Sequence, residues 1–288
     1  MKNFPKIAIV VDSTAYFTPI EKSQYLIEVV PVNVMFEGKI YRDGINLTTD
    51  QAYQFLKKNP EDWATSAPSV GDFLTAFRKV SIQGVEAIIC LTLAQSISAT
   101  WNNARNAKEI AKKEMPELKI EIIDSGTAVV GERLLALRIG QMVKEGKEFG
   151  ELVEMVENFK KKLRVFVLLE TIRYVYRSGR IPKIASKIGA ILPLKPILSV
   201  YGGKIKFKEA TVSKEKGEEK IMEILKENFD ENFPEIDLTY IDNLEEIKNF
   251  KKRISSLIPG VKISISQFSP IVGYATGPGT IGVGFFSK

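Results

Sequence analysis

The chain has 288 residues, one cysteine and no histidine, and its 41 basic residues against 35 acidic ones give a net charge of +6. Without imidazole or paired thiols, the sequence excludes His-dependent catalytic triads and the common zinc sites, so we expect neither a metal nor a cofactor. The basic residues are mostly interleaved with acidic ones, which indicates a solvated surface and not a nucleic-acid partner. No apolar run approaches the ~20 residues that span a bilayer. We therefore expect no membrane span and, since residues 1–5 lead straight into a strand, a cytoplasmic protein.

The first half of the chain alternates strands and helices. Residues 6–12 form an apolar run that predicts a buried strand, which ends in the polar residues 12–14. Thr18 followed by Pro19 predicts the start of a helix. The next predicted elements are a strand region over 27–35, a turn at 37–38 with a return strand over 39–41, a helix capped by Thr49 through residue 58, and a helix over 70–79 capped by Ser69 with Asp72.

A strand–helix–strand unit over residues 85–127 organises this half. The apolar runs 85–93 and 119–124 predict parallel strands, and residues 99–114 between them have helical spacing. Ser98 is predicted to cap that helix, at the carboxyl end of a strand, where α/β sheets bind ligands. Free N–H groups at a helix start favour an anion. An ordinary capped helix without a ligand is the alternative.

The pattern of elements changes near residue 163, which predicts a domain boundary. We expect an α/β fold with a parallel-sheet domain over residues 1–163, an α+β domain over residues 164–288, and a ligand cleft between them. Helices are predicted over 131–145, 150–162, 171–177, 184–191, 215–228 and 243–257. Strands are predicted over 164–170, 194–201, 204–212, 237–241 and 261–268, with a hairpin turn at 202–203 and a glycine-rich strand over 271–286.

Two short motifs have weaker interpretations. Residues 277–282 match G-x-G-x-x-G, but a strand-like apolar run follows where a dinucleotide site needs a helix. We therefore expect only a tight turn whose backbone can approach a ligand closely. Arg177 and Arg180 flank a Ser-Gly pair, and they could grip a phosphate or carboxylate or belong to an ordinary surface turn.

Seven short segments, taken in order, resemble the DegV family of bacterial fatty-acid-binding proteins. Thr65-Ser66-Ala67-Pro68-Ser69 resembles the family's Thr-Ser-Gln-Pro-Ser loop, and Ser98-Ala99-Thr100 resembles its Ser-Gly-Thr segment. The other five are Val11-Asp12-Ser13-Thr14-Ala15, Ile123-Asp124-Ser125, Ser178-Gly179-Arg180-Ile181, Leu194-Lys195-Pro196-Ile197 and Gly277-Pro278-Gly279-Thr280. The resemblance spans nearly the whole chain.

The resemblance implies a long-chain fatty acid, such as palmitate, held between the two domains, and a role in lipid transport or fatty acid metabolism. In the family, the loop threonine and the serine of Ser-Gly-Thr bind the carboxylate, which implies Thr65 and Ser98 here. Ser66, Thr276 and Gly277 complete the predicted site. Some family members present their acyl chain to a separate fatty acid kinase subunit, which phosphorylates the carboxylate, so such a subunit is a possible partner.

The chain departs from the family pattern near the predicted carboxylate. Ala275 stands where the family usually has a histidine, and a family arginine expected near Thr211 or Val212 is missing. Ala67 and Ala99 replace the usual Gln and Gly. Without imidazole, we expect head-group affinity to vary little between about pH 5.5 and 7.5, because no side chain here ordinarily titrates in that range.

These observations predict a binding protein and not an enzyme, with no catalytic residues. The alternative is an enzyme that acts on a phosphorylated or carboxylated small metabolite. Asp12, Asp124 or Arg180 would then be its catalytic groups.

Overall fold

The computed structural model describes residues 6–179 and 194–288. Arg180 and the predicted helix over 184–191 lie outside the described residues. The strands are β1 (Ile7–Asp12), β2 (Ile27–Val30), β3 (Asn33–Phe36), β4 (Lys39–Arg42), β5 (Ala64–Ser66), β6 (Ala87–Thr92), β7 (Lys119–Asp124), β8 (Leu163–Leu168), β9 (Lys195–Tyr201), β10 (Lys204–Thr211), β11 (Glu235–Tyr240), β12 (Lys262–Gln267) and β13 (Ile281–Phe286).

Helices lie between and around these strands. They are α1 (Pro19–Tyr25), α2 (Thr49–Lys58), α3 (Val70–Ser81), α4 (Thr100–Glu114), α5 (Val130–Lys144), α6 (Phe149–Lys162), α7 (Arg173–Ser178), α8 (Lys214–Asn228), α9 (Leu244–Leu257) and α10 (Pro270–Thr276). In the ranges 6–179 and 194–288, none of the helices is both long enough and apolar enough to cross a membrane.

The strands form a parallel sheet, a larger mixed sheet and a small antiparallel one. The parallel sheet has the order β2-β1-β6-β7, and the six-stranded sheet has the order β10-β9-β8-β13-β11-β12. Within the latter only β11 and β12 pair in parallel. The small sheet has the order β4-β3-β5. The predicted fold class, a parallel α/β sheet followed by an α+β region, is confirmed. The boundary at 163/164 stays a prediction.

Helix α5 lies between the two large sheets and packs against both, so it is buried along most of its length. Leu135, Ala136 and Ile139 pack with the apolar residues of β1 and β6. Val130, at its first turn, packs instead with β8 and β9 of the six-stranded sheet. A helix that is apolar on nearly every side has to lie between two layers, since one layer would leave part of it in water.

Two of the predicted strands are wrong in the structure. The region 27–35 is not one strand, because Pro31 interrupts it; β2 then joins the parallel sheet and β3 the small sheet. The predicted glycine-rich strand over 271–286 begins with helix α10, and only β13 is extended. Ser269 and Pro270 form a helix start, with the Ser269 side chain accepting from the Ile271 N–H.

Helix caps follow the sequence closely, with small shifts. Thr18 caps α1 through a capping box with Glu21, and Ser69 caps α3 in the same way with Asp72. The cap of α2 is Thr48 and not the predicted Thr49, because the Thr48 side chain accepts from the Gln51 N–H.

Candidate functional site

A cavity of about 100 Å³ is lined by residues from both halves of the chain. Serine and threonine side chains supply much of its polar lining, and we call it the hydroxyl cavity. These residues are Thr14, Thr65, Ser66, Ser98, Ser178 and Thr276. The apolar part of the wall includes Val32, Leu93, Ile97 and Ile271. The sequence had singled out neither this apolar part nor Thr14 as a site residue.

Four of the five predicted ligand-binding residues line the hydroxyl cavity: Thr65, Ser66, Ser98 and Thr276. Gly277 instead lines a neighbouring pocket that also contains Tyr174. Its N–H is donated to the Gly273 carbonyl at 2.7 Å, as the cap of α10. The structure therefore brings together the hydroxyl groups but not the glycine. Whether these residues bind a ligand stays a prediction.

Thr65 reaches the cavity from a strand and not from the predicted loop. It lies in β5, opposite Val34 of β3 in the small antiparallel sheet. Three backbone pairs hold it there, because the short segment 64–66 can pair along the free edge of β3. Within the described part of the chain, no hydrogen bond is formed by the Thr65 hydroxyl, which leaves it available to a ligand.

Ser98 lies one position before the residue that caps α4. The helix begins at Thr100 and its cap residue is Ala99, whose side chain carries no acceptor. Ser98 Oγ lies 2.8 Å from Thr100 Oγ1 and accepts from the Thr100 N–H at 3.3 Å. The predicted cap position is therefore wrong by one residue. The serine still lies at the amino end of α4, where the first N–H groups of a helix have no acceptor within the helix.

Thr276 ends α10, where a tight turn leads into β13. Its hydroxyl donates to the Gly273 carbonyl at 3.4 Å, and its own carbonyl accepts from Thr280 Oγ1 at 3.1 Å. Gly277 and Gly279 have φ angles of 86° and 75°, in the left-handed region that favours glycine. This is the tight turn that the G-x-G-x-x-G segment predicts.

Two buried carboxyl groups lie behind the wall at Thr14. Thr14 Oγ1 is 2.5 Å from Asp12 Oδ1 and 3.2 Å from Glu132 Oε2, and all three side chains are fully buried. Burial raises the pKa of Glu132 well above its ordinary value, and the nearby Asp12 charge raises it further. The sequence did not single out Glu132. An acidic residue among the apolar residues of α5 was the available signal.

Asp43 lies directly behind the same wall, and burial raises its pKa. It is 8% exposed, and its N–H donates to the carbonyl of Val32, a cavity-lining residue, at 3.0 Å. Burial raises the pKa of Asp43 to about 6, although a hydrogen bond with Ser13 opposes the shift. The expectation that head-group affinity varies little between about pH 5.5 and 7.5 stays a prediction, and burial of Asp43 is the feature of the structure that opposes it.

A second cavity of about 70 Å³ adjoins the first, and we call it the apolar cavity. The two share Ile97, Ile205, Val272 and Thr276. The rest of the apolar cavity is lined largely by aliphatic and aromatic side chains of α5, β8, β9 and their neighbours: Val129, Val130, Val165, Val167, Leu198, Val200 and Phe268. Together the cavities form a polar end joined to an apolar slot. This arrangement can hold an amphipathic molecule with its head group on hydroxyls.

The candidate catalytic carboxylates have structural hydrogen bonds. Asp124 Oδ1 accepts from the N–H groups of Gln95 and Gly126 at 3.2 and 2.9 Å. Asp12 accepts from the N–H groups of Leu93 and Thr14 at 2.8 and 3.1 Å. These bonds hold the loops at the carboxyl edge of the parallel sheet. Such contacts favour a structural role for both side chains over catalysis.

Comparison with known proteins places these features in a family. Residues 6–288 match the family model described as uncharacterised protein of the DegV family. A DegV domain-containing protein of Clostridium acetobutylicum is 27% identical, over 98% of this chain and 99% of that protein.

Two solved structures are similar over nearly their whole length. One is a stearic acid-binding protein from Eubacterium ventriosum, 27% identical, with a TM-score of 0.89 and 98% of each chain covered. The other is a fatty acid binding protein from Bacillus subtilis, 26% identical, with a TM-score of 0.87, covering 98% of this chain and 99% of that one.

Proposed function

The chain belongs to the DegV family, and from that premise we propose that it binds a long-chain fatty acid such as palmitate and serves lipid transport or fatty acid metabolism. The carboxyl group would lie in the hydroxyl cavity and the acyl chain in the apolar cavity. The observation that carries the proposal is that these two cavities share four lining residues, one cavity being lined by hydroxyls and the other largely by aliphatic side chains.

The acyl tail and the carboxylate of the ligand would contribute differently to the binding free energy. Burying about fourteen methylenes at ~0.8 kcal/mol each contributes at most about 11 kcal/mol. A hydrogen bond to a charged head group contributes only about 1.5–3 kcal/mol. The acyl tail would therefore supply most of the affinity, while the hydroxyls of Thr65 and Ser98 would set the orientation and the preference for an acid.

The ligand's carboxyl group would lie close to the protein surface. Ser66, which lines the hydroxyl cavity, is exposed. A head group held there is accessible to a partner, which supports presentation of the carboxylate to a fatty acid kinase subunit. Incubating the loaded protein with such a subunit and ATP would test this: acyl phosphate should form, and its absence would leave storage or transport as the role.

No observation favours the alternative, an enzyme acting on a small phosphorylated or carboxylated metabolite. Asp12 and Asp124 already accept backbone hydrogen bonds, and Arg180 lies outside the described residues. Turnover in a broad phosphatase and hydrolase screen, abolished by Asp124→Asn, would nevertheless establish it.

The first test is whether the purified protein contains a fatty acid. The protein would be denatured and extracted with organic solvent, and the extract analysed by mass spectrometry. We expect a long-chain acid in the extract, or binding of added palmitate by the delipidated protein. Failure of both would reject the proposed function.

The second test assigns the head group. Ser98→Ala and Thr65→Ala should each weaken binding of palmitate about ten- to a hundredfold, because a methyl group leaves a ligand oxygen without a donor. The methyl ester of palmitate, which carries the same tail, should lose far less. Thr75→Ala is the matched control, since this exposed threonine of α3 bonds only to its own helix, at the Gly71 carbonyl. Equal losses for acid and ester would place the carboxylate elsewhere.

A further inference from the structure

The contact between Thr14, Asp12 and Glu132 fixes where one proton must be. Thr14 Oγ1 lies within hydrogen-bond distance of a carboxyl oxygen on each side, at 2.5 Å and 3.2 Å. A threonine hydroxyl has one hydrogen and can donate it to only one of them. The other contact is a hydrogen bond only if that carboxyl group carries a proton and donates it to Thr14. If both contacts are hydrogen bonds, one of the two acids is neutral in this arrangement.

Asp12 is the acceptor of the pair. One of its oxygens accepts from the Leu93 N–H at 2.8 Å and the other from the Thr14 N–H at 3.1 Å. With N–H donors directed at both oxygens, a proton on Asp12 would displace a hydrogen bond. Hydrogen bonds to the charged form stabilise it against the desolvation that raises the pKa of this carboxyl group.

Glu132 is the group that holds the proton. Its Oε1 is buried and has no hydrogen-bond partner in residues 6–179 and 194–288. An ionised Glu132 would thus place negative charge on an oxygen without a donor, and burial outweighs the hydrogen bonds from the Thr14 side chain and the Asp12 backbone that favour the ionised form. As a carboxylic acid it donates through Oε2 to Thr14, and Thr14 donates in turn to Asp12.

The charged groups around Glu132 reinforce this assignment. Asp12 on β1 and Asp124 at the end of β7 both raise the pKa of Glu132 by their negative charge. Cys90 on β6 is a buried thiol whose own pKa is raised by burial and by the charge of Asp12. The neighbouring Arg133 faces the other sheet, where it bonds Asp237 at 2.9 Å. Asp43, behind Ser13, adds a further acid beside Asp12.

We propose that Glu132 is a positioning residue for the hydroxyl cavity, whose carboxylic proton directs the Thr14 hydroxyl toward Asp12 and so holds the wall formed by Thr14 and Leu93. Both of these residues line the cavity, and both are tied to Asp12. Loss of the proton would leave one hydroxyl between two carboxylates, and Thr14 would shift. The inference rests on the proposed fatty-acid function. It adds that binding in the hydroxyl cavity requires Glu132 to be protonated.

Glu132→Gln and Glu132→Leu separate the proton from the shape of the side chain. Glutamine keeps an N–H donor for Thr14 and cannot ionise, whereas leucine has no donor. Binding of stearate and of its methyl ester would be measured by titration calorimetry on the delipidated full chain between about pH 6 and 9.5. The ester does not ionise, so any change in its affinity with pH belongs to the protein.

Once Glu132 loses its proton, the wild-type affinity for the ester should fall about tenfold, as for the loss of one hydrogen bond. Glu132→Gln should rescue binding and make it independent of pH in this range, and Glu132→Leu should be weaker at every pH. If the leucine variant does not fold, the pH profile of the glutamine variant decides alone. A glutamine variant with the same alkaline loss as the wild type would overturn the positioning role.

The proton itself can be observed without a ligand. The infrared difference spectrum of wild type minus Glu132→Gln at neutral pH should contain the carbonyl band of a protonated carboxylic acid. Glu121→Gln is the control, because Glu121 is partly exposed and paired with Lys108 at 2.8 Å, and it should give no such band. Absence of the Glu132 band would overturn the inference while leaving the proposed function intact. A wild-type chain that binds no stearate at any pH would overturn the proposed function and the positioning role with it.

Discussion

At the scale of single residues, the candidate site depends on ordinary side chains in unusual surroundings. Thr14, Asp12, Glu132 and Asp43 lie within one small region at the carboxyl edge of the parallel sheet. Three of them are buried acids, whose pKa values differ between the folded and unfolded chain. The free energy of unfolding therefore depends on pH through their protonation. Asp43 provides the simplest test of this, because its pKa lies within an accessible range.

Asp43→Asn should reduce the pH dependence of stability between about pH 4 and 6. The pKa of Asp43 in the folded chain is raised from 3.8 to about 6. The folded state therefore binds this proton more tightly than the unfolded state does, and the stabilisation present at low pH is lost as pH rises through about 6. The loss is at most about 3 kcal/mol.

Urea unfolding of the wild type and the variant across this pH range would measure the effect. Asp50→Asn is the control, since Asp50 is exposed in the first turn of α2 and should leave the pH profile unchanged. An Asp43→Asn profile parallel to that of the wild type would show that Asp43 titrates in the folded chain as it does in the unfolded one.

At the scale of elements, α5 determines how the two large sheets lie relative to each other. A Cβ on Gly131 in its first turn would lie closest to the Thr127 side chain, just before the helix, and 2.8 Å from Val165 Cγ2 of β8. Glu132, the next residue, reaches Thr14 on one side, while Arg133 bonds Asp237 on the other. Three consecutive residues of α5 thus contact the elements on both sides of the helix.

Gly131→Ala should destabilise the protein by about 1–3 kcal/mol, because the added methyl group has no room and the helix must move. Gly150→Ala is the matched control: Gly150 lies in the first turn of α6, and nothing comes within 4 Å of a Cβ placed there. The control should be neutral or gain up to about 1 kcal/mol from helix propensity. Chemical denaturation of both variants provides the comparison, and equal stabilities would mean that Thr127 and Val165 can make room for a methyl group at the start of α5.

At the scale of the whole molecule, the proposed ligand slot exists only where the two halves meet. The hydroxyl cavity takes Thr65 and Ser98 from the first half and Thr276 from the second. Ile205, on β10, lines both cavities and therefore lies at their junction. A larger side chain there would separate the head-group end from the acyl slot.

Ile205→Trp should weaken binding of palmitate by about tenfold or more and weaken binding of octanoate much less, since only the longer chain has to pass the junction. Lys206→Trp is the control, because the next residue of the strand is exposed on its other face. Titration of both acids into the delipidated variants measures the ratio. An unchanged preference for the longer acid would show that the acyl chain takes another path.

The sequence by itself determined the features that depend on neighbours along the chain. The capping boxes at Thr18 and Ser69, the β1 and β7 runs and the glycine turn after Thr276 all follow from local chemistry, which requires particular residue types at fixed spacing. The order of the short motifs also indicated the family, and with it Thr65 and Ser98 as the expected pair.

Only the tertiary structure decided which of these residues meet. Thr65 belongs to a strand because β5 pairs along the edge of β3. Pro31 separates β2 from β3, and the two strands join different sheets. Thr14 and Glu132 are 118 positions apart in sequence, so no spacing rule could pair them. The raised pKa values of the Glu132 and Asp43 carboxyl groups arise from burial. Burial depends on how helices and sheets pack, which the identity of the residue does not determine.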